Sequence, residues 1–344
     1  MPIRVAINGF GRIGRNTFKA GFGRKDLKAE FVGINDLTDT ETLAQLLRHD
    51  SVYGAYDHEV KFDEKNLIVD GKAIPVFAEK DPALLPWGKL KVDVVLECTG
   101  RFTKGDEASA HLKAGAKRVI VSAPVKGGAA PTYVLGVNDS KYHDEPLINN
   151  ASCTTNCIAP VAQVMVSAFG VRKALMTTTH AVTAEQNLVD GPPPAMHRDL
   201  RRARSALNNI VPTTTGAAIA TAETIPELRG IFDGIAFRVP VICGSIADFT
   251  FLLKRKVTED EIKKAFRDAE KSPRFKGIIL ASDEPLVSTD IIKSSYSAVV
   301  DLGLIKVVDG DFVKVVAWYD NEWAYSCRLI EEAEMVGRRM KGLK

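Results

Sequence analysis

A short apolar run, Ile3-Arg4-Val5-Ala6-Ile7, leads straight into Asn8-Gly9-Phe10-Gly11-Arg12-Ile13-Gly14-Arg15, and the dozen residues that follow suit a helix. A second run, Glu30-Phe31-Val32-Gly33-Ile34, then ends in Asn35-Asp36. Glycine triplets also occur in ordinary tight turns. The order strand, glycine turn, helix, strand is more demanding. It suits a βαβ unit in which Gly9, Gly11 and Gly14 permit the turn and let backbone approach a pyrophosphate at a helix N-terminus. Asp36 lies about twenty residues beyond the last glycine, where an acid can accept bonds from ribose hydroxyls. The plainer alternative is a simple turn, with Asp36 capping the segment Leu37-Thr38-Asp39.

The alternation continues. Val92 to Cys98 reads as a buried strand, Gly105 to Ala114 as an amphipathic helix and Lys117 to Pro124 as another strand. Such alternation predicts a mostly parallel sheet with ligands at the carboxyl ends of its strands. Thr99 and Ser122 stand at two such ends and are cofactor candidates, unless they merely cap turns. Residues 51–91, with Pro75, Pro82 and Pro86, read as shorter strands and loops inserted in the same domain.

A different chemistry begins at Ala151-Ser152-Cys153-Thr154-Thr155-Asn156-Cys157. The run Ile158 to Val166 reads as a helix, with Ser152 suited to cap it and Cys153 in its first turn. There the free N–H groups and the helix dipole favour an anion, and a thiolate is both an anion and a nucleophile. A buried thiol acting as a small apolar residue is the bland alternative. That reading suits Cys157, one turn further along the same side of the helix. Lys173 to His180 reads as a β-branched strand delivering an imidazole. Close to Cys153, that ring would lower the thiol pKa and shuttle a proton.

Residues 191–194, Gly-Pro-Pro-Pro, suit neither helix nor central strand, and a basic cluster from His197 to Arg204 follows. A basic cluster is ordinarily a solvated face. Two features point instead to a small phosphate. Thr213-Thr214-Thr215-Gly216 offers hydroxyls and backbone donors at a helix start, and Arg238 sits inside the apolar strand Ile235–Val241, where a charge needs a partner. The strand Ile246 to Leu253, the helix Glu259–Lys271, the strand Phe312 to Trp318 and a last helix opening at Tyr319 to Trp323 complete the chain. The two strands on either side of residues 242–245 predict an antiparallel sheet.

Composition narrows the rest. A chain of 344 residues is long enough for two domains, and a net charge of +3 sets up no global field for nucleic acid or an anionic membrane. Five cysteines form no disulfide-like framework, and no secretory signal or membrane-length apolar run is seen. The expectation is a cytoplasmic protein with reduced thiols, no metal and no membrane association.

These segments together resemble the phosphorylating, NAD-dependent glyceraldehyde-3-phosphate dehydrogenases. The matching motifs are NGFGRIGR (8–15), IND (34–36), ECTGRF (97–102), ASCTTNC (151–157), TTTHAVTAEQ (177–186), DLRRAR (199–204), PTTTGAA (212–218), AFRVPV (236–241) and WYDNEW (318–323). The resemblance implies an α/β fold with a Rossmann-type doubly wound dinucleotide-binding domain, residues 1–152 plus the C-terminal helix 321–344. It implies an α+β catalytic domain with a largely antiparallel sheet over 153–320, including an S-loop at about 184–208.

By the same resemblance Cys153 attacks the aldehyde of glyceraldehyde 3-phosphate, the resulting hemithioacetal is oxidised to a thioester, and inorganic phosphate releases 1,3-bisphosphoglycerate. His180 is its acid/base partner. Thr183, Arg202 and Arg238 resemble the substrate-phosphate group, and Ser152, Thr154, Thr215 and Gly216 the attacking-phosphate group. Asn321 resembles the residue that fixes the nicotinamide carboxamide, with Tyr319 beside it; Arg12 and Ile13 resemble residues whose backbone amides face the pyrophosphate. Asp36 would repel a 2′-phosphate and Leu37 offers no donor for one, so NAD is expected, with Lys80 leaving room for some NADP. A homotetramer acting in glycolysis or gluconeogenesis is implied. The alternatives are an erythrose-4-phosphate dehydrogenase and a non-catalytic NAD- or RNA-binding regulator using Arg201–Arg204.

Overall fold

The computed structural model describes residues 2–193 and 199–343, which fall into two compact units. The first comprises residues 1–133, 140–152 and 325–344, and the second residues 134–139 and 153–324.

In the first unit the chain forms β1 (Ile3–Asn8), α1 (Arg12–Gly21), β2 (Ala29–Asn35) and α2 (Thr40–Arg48). Then come β3 (Val60–Phe62), β4 (Asn66–Val69), β5 (Lys72–Phe77), β6 (Val94–Glu97), β7 (Arg118–Val121) and β8 (Leu147–Asn149). They make one eight-stranded sheet in the order β8-β7-β6-β1-β2-β5-β4-β3. The run from β8 to β5 is parallel throughout, and β3 and β4 add an antiparallel edge. The chain leaves β1 first to one side and later to the other, so the ends of β1 and β6 border the switch point where such sheets bind ligands. Ile3, Val5, Ile7, Phe18, Ile34 and Leu96 form the main core on one face, and Trp87, Val95 and Val121 belong to a second core.

The helix expected over 105–114 is two short turns, Gly105–Ala108 and Ala110–Lys113. Ser109 separates them, with its hydroxyl donating back to the carbonyl of Asp106, a local bond that competes with the helical ladder.

The second unit opens with α3 (Cys153–Phe169) and β9 (Val171–His180). Next come β10 (Val211–Thr214), α4 (Ala217–Thr224), β11 (Phe232–Arg238), β12 (Ser245–Leu253) and α5 (Glu259–Lys271). The strands β13 (Ile279–Ser282), β14 (Ala298–Asp301), β15 (Lys306–Val308) and β16 (Phe312–Tyr319) follow. The sheet order is β10-β11-β9-β12-β16-β14-β13, with β15 on β16. Antiparallel pairs dominate. The exceptions are β9 with β11 and β13 with β14. The strands on either side of residues 242–245, β11 and β12, lie in this largely antiparallel sheet, as expected, with β9 between them.

The last helix, α6 (Trp323–Met340), begins three residues after Asp320, whose carboxylate accepts the backbone N–H of Glu322 and Trp323. From Tyr325 onward it belongs to the first unit. Gly337 sits where a Cβ would come within 2.3 Å of the Ile3 side chain, so only glycine lets the helix approach β1 this closely.

Candidate active site

In the first unit a cleft of about 560 Å³ is lined by Asn8, Gly9, Gly11, Asn35, Asp36, Lys80 and Thr99, among others. The glycine turn that bounds it is sterically determined. Gly9 has a φ of +91°, and a Cβ there would lie 2.6 Å from the Thr99 nitrogen; a Cβ on Gly14 would lie 2.1 Å from the Gly9 carbonyl oxygen. Gly11 faces open space. Asp36 joins the two walls by accepting the Phe10 N–H (2.7 Å) and the Thr38 N–H (3.0 Å). It is Asp39, not Asp36, that caps α2.

In the second unit β9 and α3 bring their chemistry to one point. Cys153 Sγ lies 3.4 Å from His180 Nε2, although 27 residues separate them in sequence. His180 is 3 % exposed, and its Nδ1 lies 2.7 Å from the Ala181 carbonyl oxygen and 2.6 Å from Arg238 Nη1. The parallel pairing of β9 with β11 sets His180 opposite Arg238, which explains that last contact. A guanidinium can only donate. The Ala181 carbonyl can only accept, so Nδ1 meets opposed demands: the guanidinium favours a ring hydrogen on Nε2, facing the sulfur, and the carbonyl favours one on Nδ1.

Residues 3–105 match the family profile described as the NAD binding domain of glyceraldehyde 3-phosphate dehydrogenase, and residues 152–321 match that of its C-terminal domain. Over 342 residues the chain is 48 % identical to a glyceraldehyde-3-phosphate dehydrogenase of Streptomyces coelicolor, covering 99 % of this chain and 100 % of the relative. It is 50 % identical over 346 residues to that of Mycobacterium tuberculosis, covering 99 % and 100 %. The chloroplastic enzyme of Arabidopsis thaliana is 49 % identical over 342 residues, covering 98 % of this chain and 85 % of the relative. The chain belongs to the glyceraldehyde-3-phosphate dehydrogenase family. It is accordingly an oxidoreductase that uses NAD.

Two of the expected anion-binding side chains, Arg238 and Arg202, stand near the imidazole of this dehydrogenase. Arg202, 7 % exposed, donates to Glu185 (2.6 Å) and, through Nε, to Thr213 (3.0 Å). Arg238 lies 3.6 Å from the same Glu185 carboxylate, so this one acid stands beside both arginines. Two buried polar atoms, Arg238 Nε and Thr183 Oγ1, have no hydrogen-bond partner among the described residues. Thr215 and Gly216 lead into α4, where the Thr215 hydroxyl accepts the Ala217 N–H. No hydrogen bond among the described residues ties them to the thiol cluster.

Electrostatics differ from the sequence expectation. Burial pushes the Cys153 thiol above its usual range, and the charge of Arg238 and bonds from Thr154 pull it only partly back. Burial and then the neighbouring Arg238 charge push His180 down to about 3, so the imidazole is neutral at ordinary pH. A neutral ring does not lower the thiol pKa as an imidazolium would. Cys157 is fully buried and its thiol is pushed well up.

Two expected cofactor residues have protein partners. Tyr319 is 1 % exposed, and its hydroxyl is held by Thr154 (3.0 Å) and Thr178 (2.8 Å) beside the thiol and imidazole. Ser122 is absent from the cleft lining; its backbone N–H donates to the Glu97 carbonyl, and its side chain meets the Cys98 thiol. The Arg12 side chain turns to Asp50 (2.8 Å), which leaves only its backbone near the glycine turn. Ile13, next along α1, packs against the main core, and Ser152 is the last residue of the first unit before α3.

Asn321 is held by its carboxamide oxygen, which accepts from Ser245 Oγ (2.9 Å) and the Gly244 N–H (3.2 Å). Ser245 in turn accepts the Ala181 N–H (3.0 Å), linking Asn321 to the end of β9. Thr213, expected to offer its hydroxyl to a phosphate, instead meets Arg202 Nε; Thr178 lay in a motif without being given a part, and Ser245, in no motif, escaped the sequence reading. The described arginines of the 199–204 segment do not form an open basic patch: Arg201 pairs with Asp199, Arg202 with Glu185 and Arg204 with Asp190. Within the expected S-loop, residues 194–198 lie outside the described residues.

Proposed function

We propose that the chain catalyses the NAD-dependent oxidative phosphorylation of glyceraldehyde 3-phosphate to 1,3-bisphosphoglycerate, with Cys153 as nucleophile and His180 as acid and base. The observation that carries this reading is the 3.4 Å approach of Sγ and Nε2 beside Arg238. Gly9, Gly11, Asp36, Lys80 and Thr99 would hold NAD in the first unit, with the backbone of Arg12, Ile13 and Gly14 at the pyrophosphate. Asn321 would hold its carboxamide. When bound, NAD supplies the hydride acceptor that turns the hemithioacetal into a thioester.

The protein's own part is nucleophilic and electrostatic. Arg202, Arg238 and Thr183 take the substrate phosphate, which competes with Glu185 and with His180 Nδ1 for the Arg238 guanidinium. Once Arg238 turns to the phosphate, Nδ1 is free to donate to the Ala181 carbonyl, and the ring's lone pair moves to Nε2. The ring can then accept the thiol proton as Sγ bonds to the aldehyde carbon, give it to the aldehyde oxygen to make the hemithioacetal hydroxyl, and take it back as the hemithioacetal is oxidised. Inorganic phosphate, held by Ser152, Thr154, Thr215 and Gly216, attacks the thioester carbonyl, and the carbon–sulfur bond breaks to return the thiolate.

Residues 1–152 with 321–344 act in this reading as the cofactor domain and 153–320 as the catalytic domain. Self-association is supported by Leu175, Ile219, Ile235 and Phe312, four exposed apolar side chains in the second unit. Leu175, Ile219 and Phe312 border a concavity of about 900 Å³. A surface of that kind needs a cover; we assign it to a homotetramer, testable by light scattering. Among the described residues no helix is long and apolar enough to cross a membrane. All five cysteines are free thiols, as a reducing compartment such as the cytoplasm maintains.

The test is NADH formation by purified protein with aldehyde, NAD and inorganic phosphate, each omitted in turn. Product should require all three. Turnover independent of phosphate, or faster on erythrose 4-phosphate, would overturn the assignment.

A further inference from the structure

Beneath the cofactor cleft runs a chain of buried polar side chains whose central members, His111 and Glu97, have no part in the proposed chemistry. It starts at Trp87, 0 % exposed, whose indole N–H donates to His111 Nδ1 (3.0 Å). An indole nitrogen can only donate, so Nδ1 is an acceptor and the His111 hydrogen sits on Nε2. That N–H points at Glu97 Oε2, 2.9 Å away. The same oxygen accepts from Asn8 Nδ2 at 2.5 Å. The other carboxylate oxygen accepts the Thr99 N–H (2.8 Å) and the Thr99 hydroxyl. Four donors fill the acceptor capacity of one carboxylate.

The far ends of the chain are cleft walls. Asn8 Oδ1 accepts from Asn35 Nδ2 (2.7 Å), and the Asn35 carboxamide exchanges two bonds with the backbone of Glu79 (both 2.9 Å). Asn8, Asn35, Glu79 and Thr99 all line the cleft, and the Thr99 backbone is the surface against which Gly9 is packed. The ends of β1, β2, β5 and β6 are thus joined through one side chain that is itself 1 % exposed.

We propose that Glu97 is a positioning residue for the cofactor, held in its acceptor orientation by the Trp87–His111 pair. It fixes Thr99 and Asn8 before the dinucleotide arrives, so ordering of these walls is not charged against binding. The inference rests on the reading of this cleft as the NAD site. Glutamine at 97 keeps the shape but places an amide N–H₂ among groups that are themselves donors, so at least one wall must rotate away.

The experiment is NAD titration by calorimetry, with steady-state KM and kcat and thermal melting, on wild type, Glu97→Gln, Trp87→Phe, His111→Leu and His111→Gln. Glu97→Gln should weaken NAD binding about ten-fold, with the rise in KM for NAD exceeding the fall in kcat. His111→Leu should weaken binding, and His111→Gln, which can still donate to Glu97, should recover most of the loss. A folded Glu97→Gln protein that binds NAD as wild type does would overturn the proposal. So would equal affinities for the Leu and Gln variants at 111, a comparison that decides even if Glu97→Gln fails to fold. Wild type that binds no NAD would instead remove the cofactor reading on which the inference rests.

Discussion

Arg238 Nη1 lies 2.6 Å from His180 Nδ1, so the side chain proposed to bind substrate phosphate is bonded to the ring proposed to move protons. One cation therefore bears on both the protonation of His180 and the field at Cys153. Phosphate binding and base strength are coupled through that contact.

Removing the cation should separate the two effects. In Arg238→Ala the thiol loses the charge that favours its anion, so its pKa rises. The pH profile of Cys153 alkylation by iodoacetamide should shift towards alkaline pH, and the rate at fixed neutral pH should fall.

His180 also gives a stability signature. Its folded pKa, about 3, lies below the ordinary imidazole value of 6.5. Between those values the unfolded chain takes up a proton that the folded chain refuses, so this group makes stability fall as pH falls through that window. Replacing His180 with Gln should flatten the acid limb of a denaturation-versus-pH curve.

Catalysis should divide along the same pair. Cys153→Ser should lose aldehyde oxidation while calorimetry still detects NAD binding. His180→Asn should lower kcat by about 10²- to 10⁴-fold, the usual worth of a positioned acid/base.

Tyr319→Phe tests the support behind the pair. It leaves the hydroxyls of Thr154 and Thr178 without their shared partner and should cost about 1–2 kcal/mol of stability. A chemical denaturation curve measures the loss.

Gly14→Ala should be far more damaging than its size suggests, because its Cβ would meet the Gly9 carbonyl oxygen at 2.1 Å. Backbone, not a flexible side chain, would have to move. Loss of NAD binding together with a lower melting temperature is expected.

Features that depend on neighbours in sequence were legible beforehand. The glycine turn after β1, the thiol at a helix start and the charge inside β11 each break a local pattern, and each belongs to a cleft or cluster in the structure. Relationships made by sheet order were not legible. The strands around residues 242–245 suggested an antiparallel sheet but not its order: β11 reaches β9 in parallel by way of α4, and that pairing places Arg238 against His180. The expected helix over 105–114 is interrupted at Ser109, which periodicity does not reveal. Tyr319 belonged to a recognisable motif, but which way its hydroxyl faced depended on two threonines from distant elements.

The seating of α6 on the first unit bears on how the protein is made. Ile3 meets Gly337, and the Lys28 N–H finds its acceptor in Glu334. β1 must wait for α6, far along the chain, before that side of its packing is complete. The half-built unit cannot close until α6 has been made, and a nascent chain stalled short of it would present an unfinished apolar surface to chaperones.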